Sequence, residues 1–176
     1  MSLSLYEISV PVYRQFLTAL VGVLDKGEKF CAEKGLAPAD VFATRLFDDM
    51  QPFTFQVMQA INHSVGALAL VRGQQRPRPE GLTSFEAMKS AVQAALAELD
   101  AIKPADLAGA ETKTVELKFP GREMKFTGLG YLQSFAMPQF FFHATTAYDI
   151  LRHKGVPVGK RDFLGQVALL NAAPAA

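Results

Sequence analysis

The stretch Phe141-Phe142-His143-Ala144-Thr145-Thr146-Ala147-Tyr148-Asp149-Ile150-Leu151-Arg152-His153-Lys154-Gly155-Val156-Pro157-Val158-Gly159-Lys160-Arg161-Asp162-Phe163-Leu164-Gly165 decides the reading of this chain. An aromatic helical run carrying a histidine ends in Arg152, His153 and Lys154 and stops at Gly155. Cations in a last turn oppose the negative end of the helix dipole, and glycine takes the left-handed conformation that closes a helix. Upstream, Leu132, Ala136, Gln139, His143, Ala147 and Ile150 recur at three- and four-residue steps with apolar anchors at both ends, so His143 faces inward. A helix is predicted over 128–154, with Thr127 as its cap and Pro138 as an internal break. Beyond Gly155, Phe163 and Leu164 predict a docked tail covering one end of the molecule, with Asp162 pairing with a cation or capping a short turn.

Before this helix the apolar period changes to alternation. Val115, Leu117 and Phe119 point one way, Met124 and Phe126 continue it, and Pro120-Gly121 suits the centre of a type II turn, which predicts a small β-hairpin over 112–126. A third helix is predicted from the Thr83-x-x-Glu86 capping box and the stripe Phe85, Met88, Val92, Ala95, Leu99, Ile102, ending at Lys103-Pro104. Residues 73–81, with Arg76-Pro77-Arg78-Pro79, read as an exposed linker. The second helix, about 52–72, is apolar on nearly all sides and therefore buried. The first opens with the Ser4-x-x-Glu7 box, follows Ile8, Val12, Phe16, Ala19 and Val23 past Pro11, and closes at Gly35. The expected fold is all-α, an up-down four-helix bundle with a small β-hairpin between helices three and four, as one domain over 1–176.

Composition excludes several classes. Eighteen basic and seventeen acidic residues, a formal charge of +1, leave no electrostatic footprint for nucleic acid. No apolar run is long enough for a membrane span, the single Cys31 has no partner for a disulfide, and the N-terminus lacks a basic signal-peptide region. A cytoplasmic protein with no nucleic-acid and no membrane partner is the expectation.

Polar side chains within apolar helices mark the candidate site, because burying them unpaired costs roughly 1–3 kcal/mol each. Gln59, Asn62, His63 and Ser64 interrupt the second helix, and His63 shares a stripe with Gln56, Ala60, Ala67 and Leu70. His63 and His143 on facing helices suit proton transfer near neutral pH or metal ligation. The alternative is a hydrogen-bonded patch that only ties helices together. His153 lies ten residues, roughly 15 Å, beyond His143 and cannot share a metal with it. Cys31 lacks any activating neighbour in sequence.

The C-terminal signature, with Ser9-Val10-Pro11-Val12-Tyr13 and Asn62-His63-Ser64, resembles a family of unknown function grouped with the DinB-like (YfiT-like) four-helix bundles, many of them metal-dependent enzymes. That superfamily holds a divalent metal with one histidine on the second helix and two on the fourth, four residues apart. The resemblance implies His63 and His143 as metal ligands, for zinc or nickel, and places the third ligand at Ala147, which has no donor atom. Two imidazoles predict no tight stoichiometric metal where three protein donors are the rule. The leading functional expectation is a small-molecule pocket between helices two and four lined by Asn62, His63, Gln139, His143 and Tyr148. The alternative is a non-catalytic bundle that forms a homodimer through Phe140 to Phe142.

Overall fold

The computed structural model describes residues 3–170. Helix α1, Leu5–Lys34, opens on the full Ser4/Glu7 capping box and closes on Gly35 in the left-handed region, φ 63°. A short α2, Pro38–Phe42, fills part of the segment in which the sequence shows no period. The third rod, α3 (residues 53–71), is Phe53–Ile61, a π-helical turn Asn62–Gly66, and Ala67–Val71. Helix α4 is Phe85–Ala101. Strands β1, Thr114–Phe119, and β2, Arg122–Thr127, pair antiparallel in the register Val115 with Phe126 and Leu117 with Met124. The fourth rod, α5 (residues 128–153), is Gly128–Tyr131, a second π-helical turn Leu132–Ala136, and Met137–His153. A last short helix, α6, is Lys160–Leu164.

The fold is thus mostly helical, with one two-stranded sheet, β1-β2, among the described residues. Helix α1 packs against α4 and α5, and α3 packs against α5 and α4, so the buried apolar residues of all four long rods share one core. The α4 stripe is buried as the sequence predicts. Its N-cap is Ser84, whose hydroxyl accepts from the Ala87 N–H at 3.0 Å, one residue later than the expected box. On α1 the expected stripe borders the core face: its Ala19 and Val23 are buried, Tyr13, Leu17 and Leu24 are the fully buried positions, and Phe16 packs edge-on against Phe140 and Phe141. Both stripes have helical period, and only the partner helices choose between them.

Pro138 does not break α5. Proline lacks an N–H and crowds the carbonyl four residues earlier, and the wider π turn immediately before it relieves both problems. Tyr13 is fully buried and its hydroxyl has no hydrogen-bond partner among the described residues. Removing that orphaned oxygen leaves the Phe140 ring contact at 4.9 Å intact. Tyr13→Phe is therefore expected to raise stability by about 1 kcal/mol in urea unfolding, and a loss of stability would reveal a partner for the hydroxyl.

The tail docks along the side of α1 and α5 rather than over one end. Val156 and Val158 are buried, Phe163 packs between Phe16 and Tyr148, and Lys26 meets Asp162 at 2.7 Å. Asp162 also accepts the Gly159 N–H at 2.8 Å, and Gln15 donates to the Leu164 carbonyl at 2.7 Å. Ending the chain after Lys154 removes two buried valines and a half-buried phenylalanine, an expected loss of about 3 kcal/mol after the ordering entropy is returned. A thermal melt of the truncated chain checks this; an unchanged midpoint would mean that the tail contributes nothing.

Candidate functional site

His63 sits within the π turn of α3 and His143 on the facing side of α5. Each π turn is served by a serine: Ser64 donates to the Ala60 and Ile61 carbonyls, both at 2.9 Å, and Ser134 donates to the Gly130 carbonyl at 2.5 Å. These hydroxyls bond back to carbonyls beside the turns, where the regular i to i−4 ladder gives way to the wider π spacing. The two π turns contribute Asn62, His63, Gly66 and Phe135 to a cleft of about 760 Å³ between α3 and α5. Short π insertions occur often at functional sites, because the extra residue re-aims the side chains around it.

The two imidazoles are neighbours, ring centres 5.7 Å apart and planes 6° from parallel. Phe135 stands edge-on to His63, and Phe55 and Phe142 edge-on to His143. Both histidines are more than nine-tenths buried. Burial pushes both down from 6.5 to about 4, and the neighbouring His143 and Arg78 add to the effect at His63. Both rings are neutral at pH 7.

Gln56 orients the pair. Its amide nitrogen donates to the Gln51 carbonyl at 2.7 Å, so its Oε1 is the atom 2.7 Å from His143 Nδ1. A carbonyl oxygen only accepts, so Nδ1 of the neutral ring carries the proton and Nε2 keeps its lone pair. His63 has no such support: its Nδ1 is buried without a hydrogen-bond partner among the described residues.

The donor set does not fit the metal that the resemblance implies. His63 and His143, ring centres 5.7 Å apart, offer two imidazole donors where three protein ligands are the rule. His143 keeps Nε2 as a donor while Nδ1 is held by Gln56, and Ala147, in the third position, is wholly buried and has no donor atom. No group of three or more His, Cys, Asp or Glu side chains is gathered for a metal among the described residues.

Of the residues predicted for the site, Asn62, His63 and Gln139 line the cleft, and His143 lies behind them against His63. Tyr148 does not join them. Five residues past His143 it is turned well away around the helix, where it packs on Phe163 and borders a small cavity with Phe16 and Ala144. The Phe140–Phe142 run is not one exposed patch: Phe140 is core, Phe141 is half-buried, and Phe142 is 57% exposed.

Sequence reasoning placed Gln56 on the His63 stripe without giving it a role. It also missed the roof of the cleft, formed by Arg76 and Arg78 of the linker with Leu117, Phe119, Arg122 and Met124 of the hairpin. Arginine alternating with proline at 76–79 was the available signal. No helix among the described residues is long and apolar enough to cross a membrane.

Comparison with solved structures finds a crystal structure of a DinB family member protein from Shewanella denitrificans. It is 30% identical, with a TM-score of 0.82, and the match covers 97% of this chain and 96% of that one. No curated protein matches. A family model described as a domain of unknown function, DUF1993, matches residues 5–164. With nearly the whole length shared in both sequence and architecture, the chain belongs to the DUF1993 family and carries a DinB-like fold.

Proposed function

We propose that this DinB-like chain, a single domain over 1–176 with its long rods in an up-down four-helix arrangement, binds a small organic molecule in the cleft between α3 and α5. The observation that carries the reading is the unpartnered Nδ1 of His63, more than nine-tenths buried in the lining of a 760 Å³ cleft. Leaving such an atom unpaired costs about 1–3 kcal/mol, which a ligand that draws the ring edge towards the cleft and exchanges a hydrogen bond with it returns. Asn62 and Gln139 add amide donors and acceptors, and Phe135 and Leu70 supply apolar wall. A neutral His63 beside a His143 with a fixed tautomer suits hydrogen bonding or proton transfer to a bound molecule.

A homodimer through Phe142 is the alternative, and it rests on one exposed ring, whereas the cleft gathers several convergent polar groups. Thermal-shift titration of a metabolite panel, run on the wild type, His63→Ala and Asn62→Ala, tests the reading. Ligands are expected to raise the wild-type melting temperature and to lose most of that shift in His63→Ala. A panel with no wild-type shift would overturn it. On the same samples, elemental analysis after chelator-free purification is expected to give well under one zinc or nickel per chain, and a ratio near one would mean that a further donor completes a metal site with His63 and His143.

A further inference from the structure

The charge of the cleft is one-sided. Arg76, Arg78, Lys118 and Arg122 line it, and no carboxylate does. Two of these cations are already occupied. Arg76 grips Glu98 through two nitrogens, at 2.6 and 2.8 Å, and Lys118 lies 3.8 and 4.0 Å from Glu116 and Glu123. Arg78 and Arg122 have no carboxylate within 4 Å among the described residues. Arg78 comes from the linker and Arg122 from the turn of the hairpin, so two segments far apart in sequence each bring a free guanidinium to the same opening. Among the described arginines only Arg14 and Arg76 meet a carboxylate within 4 Å, so what sets Arg78 and Arg122 apart is the opening they share. Below the cations the lining changes character: Leu117, Phe119, Met124 and Phe135 are apolar, and the polar groups left at the floor are uncharged, including the neutral His63.

We infer that the cleft takes a small organic anion, a carboxylate or phosphate ester, whose charged group meets Arg78 and Arg122 while its uncharged body lies between the hairpin and α5 over His63. Guanidinium groups favour planar, paired hydrogen bonds to carboxylate and phosphate oxygens, and the apolar wall beside them offers contact to an organic body that a simple inorganic ion lacks. The inference rests on the proposed reading of the cleft and adds to it the charge class of the ligand.

Isothermal titration with matched probes separates the two claims: phenylacetate against phenylacetamide, and phenyl phosphate against phenol, with inorganic phosphate as an anion lacking a body. Each is titrated into the wild type, Arg78→Gln, Arg122→Gln and His63→Ala. The anionic member of each pair is expected to bind at least about tenfold more tightly than its neutral partner and to weaken as salt is raised. Either arginine substitution should cost about tenfold in affinity for the anion, with no shift in the melting temperature of the free protein, because both side chains are exposed. Equal binding of charged and neutral partners, abolished in His63→Ala, would overturn the anion inference and leave the small-molecule reading standing. Inorganic phosphate binding as well as phenyl phosphate, with no effect of His63→Ala, would reduce the site to a surface cation patch and overturn the inference. No binding by either member of either pair would overturn both.

Discussion

Gly128→Ala is expected to be the most damaging single-methyl change in the protein, with a loss of about 3–5 kcal/mol. A Cβ at residue 128 would lie 2.0 Å from the Ala110 carbonyl oxygen, 3.1 Å from its carbon and 3.2 Å from Val71 Cγ1. The obstacle is backbone, so no rotamer change relieves it. The backbone there is also clasped: the Gly128 N–H donates to the Lys113 carbonyl at 2.8 Å and the Leu129 N–H to the Glu111 carbonyl at 3.0 Å. Moving the 110–113 loop far enough to admit a methyl group sacrifices both hydrogen bonds and unseats the hairpin whose base they hold. At roughly 2–4 °C per kcal/mol for a chain of this size, the melting temperature should fall by about 10 °C. Ligand affinity should fall with it, because the hairpin roofs the cleft. Gly22→Ala is the control: that helical glycine has nothing within 4 Å of a built Cβ, and alanine there should stabilise by about 0.5–1 kcal/mol. Equal effects at the two positions would refute the close-approach argument.

The second large effect is on acid stability. His63 and His143 ionise near 6.5 when unfolded and at about 4 when folded, so between those values the unfolded chain binds protons that the folded chain refuses. Stability is therefore present in full above pH 6.5 and is lost as pH falls towards 4, by up to about 3 kcal/mol for each ring. Below about pH 4 these two groups add no further slope. Urea midpoints measured from about pH 7 to pH 4 should decline steeply in the wild type. The double substitution His63→Gln with His143→Gln should flatten that decline, and an unchanged slope would show that other groups carry it.

Much of the helical framework was legible because its signals are local. A serine and a glutamate three residues apart satisfy each other's backbone groups at Ser4 and Glu7 whatever lies around them, and Gly35, Pro120-Gly121 and Thr127 stop or start elements by their own conformational preferences. The stripes on 85–102 and 132–150 carry helical period in composition alone. From them the sequence by itself determined four long helical rods, a hairpin ahead of the last, and the presence of His63 and His143 on inward positions.

Tertiary structure decided what those histidines can do. Whether a helix widens into a π turn at Asn62–Gly66 or Leu132–Ala136 depends on packing across the core, since composition there differs little from an ordinary helix. The near-parallel setting of the two rings follows from the relative rotation of α3 and α5, as does the choice of Gln56 as the partner of His143. Tyr148 turns away because a helix carries it around to the α1 side, where Phe163 was waiting only once the tail had docked. The arginines of the roof lie in segments whose local sequence says exposed loop and nothing more. Long-range contacts alone bring Arg78 and Arg122 over His63, because no short-range preference links residues so far apart in the chain.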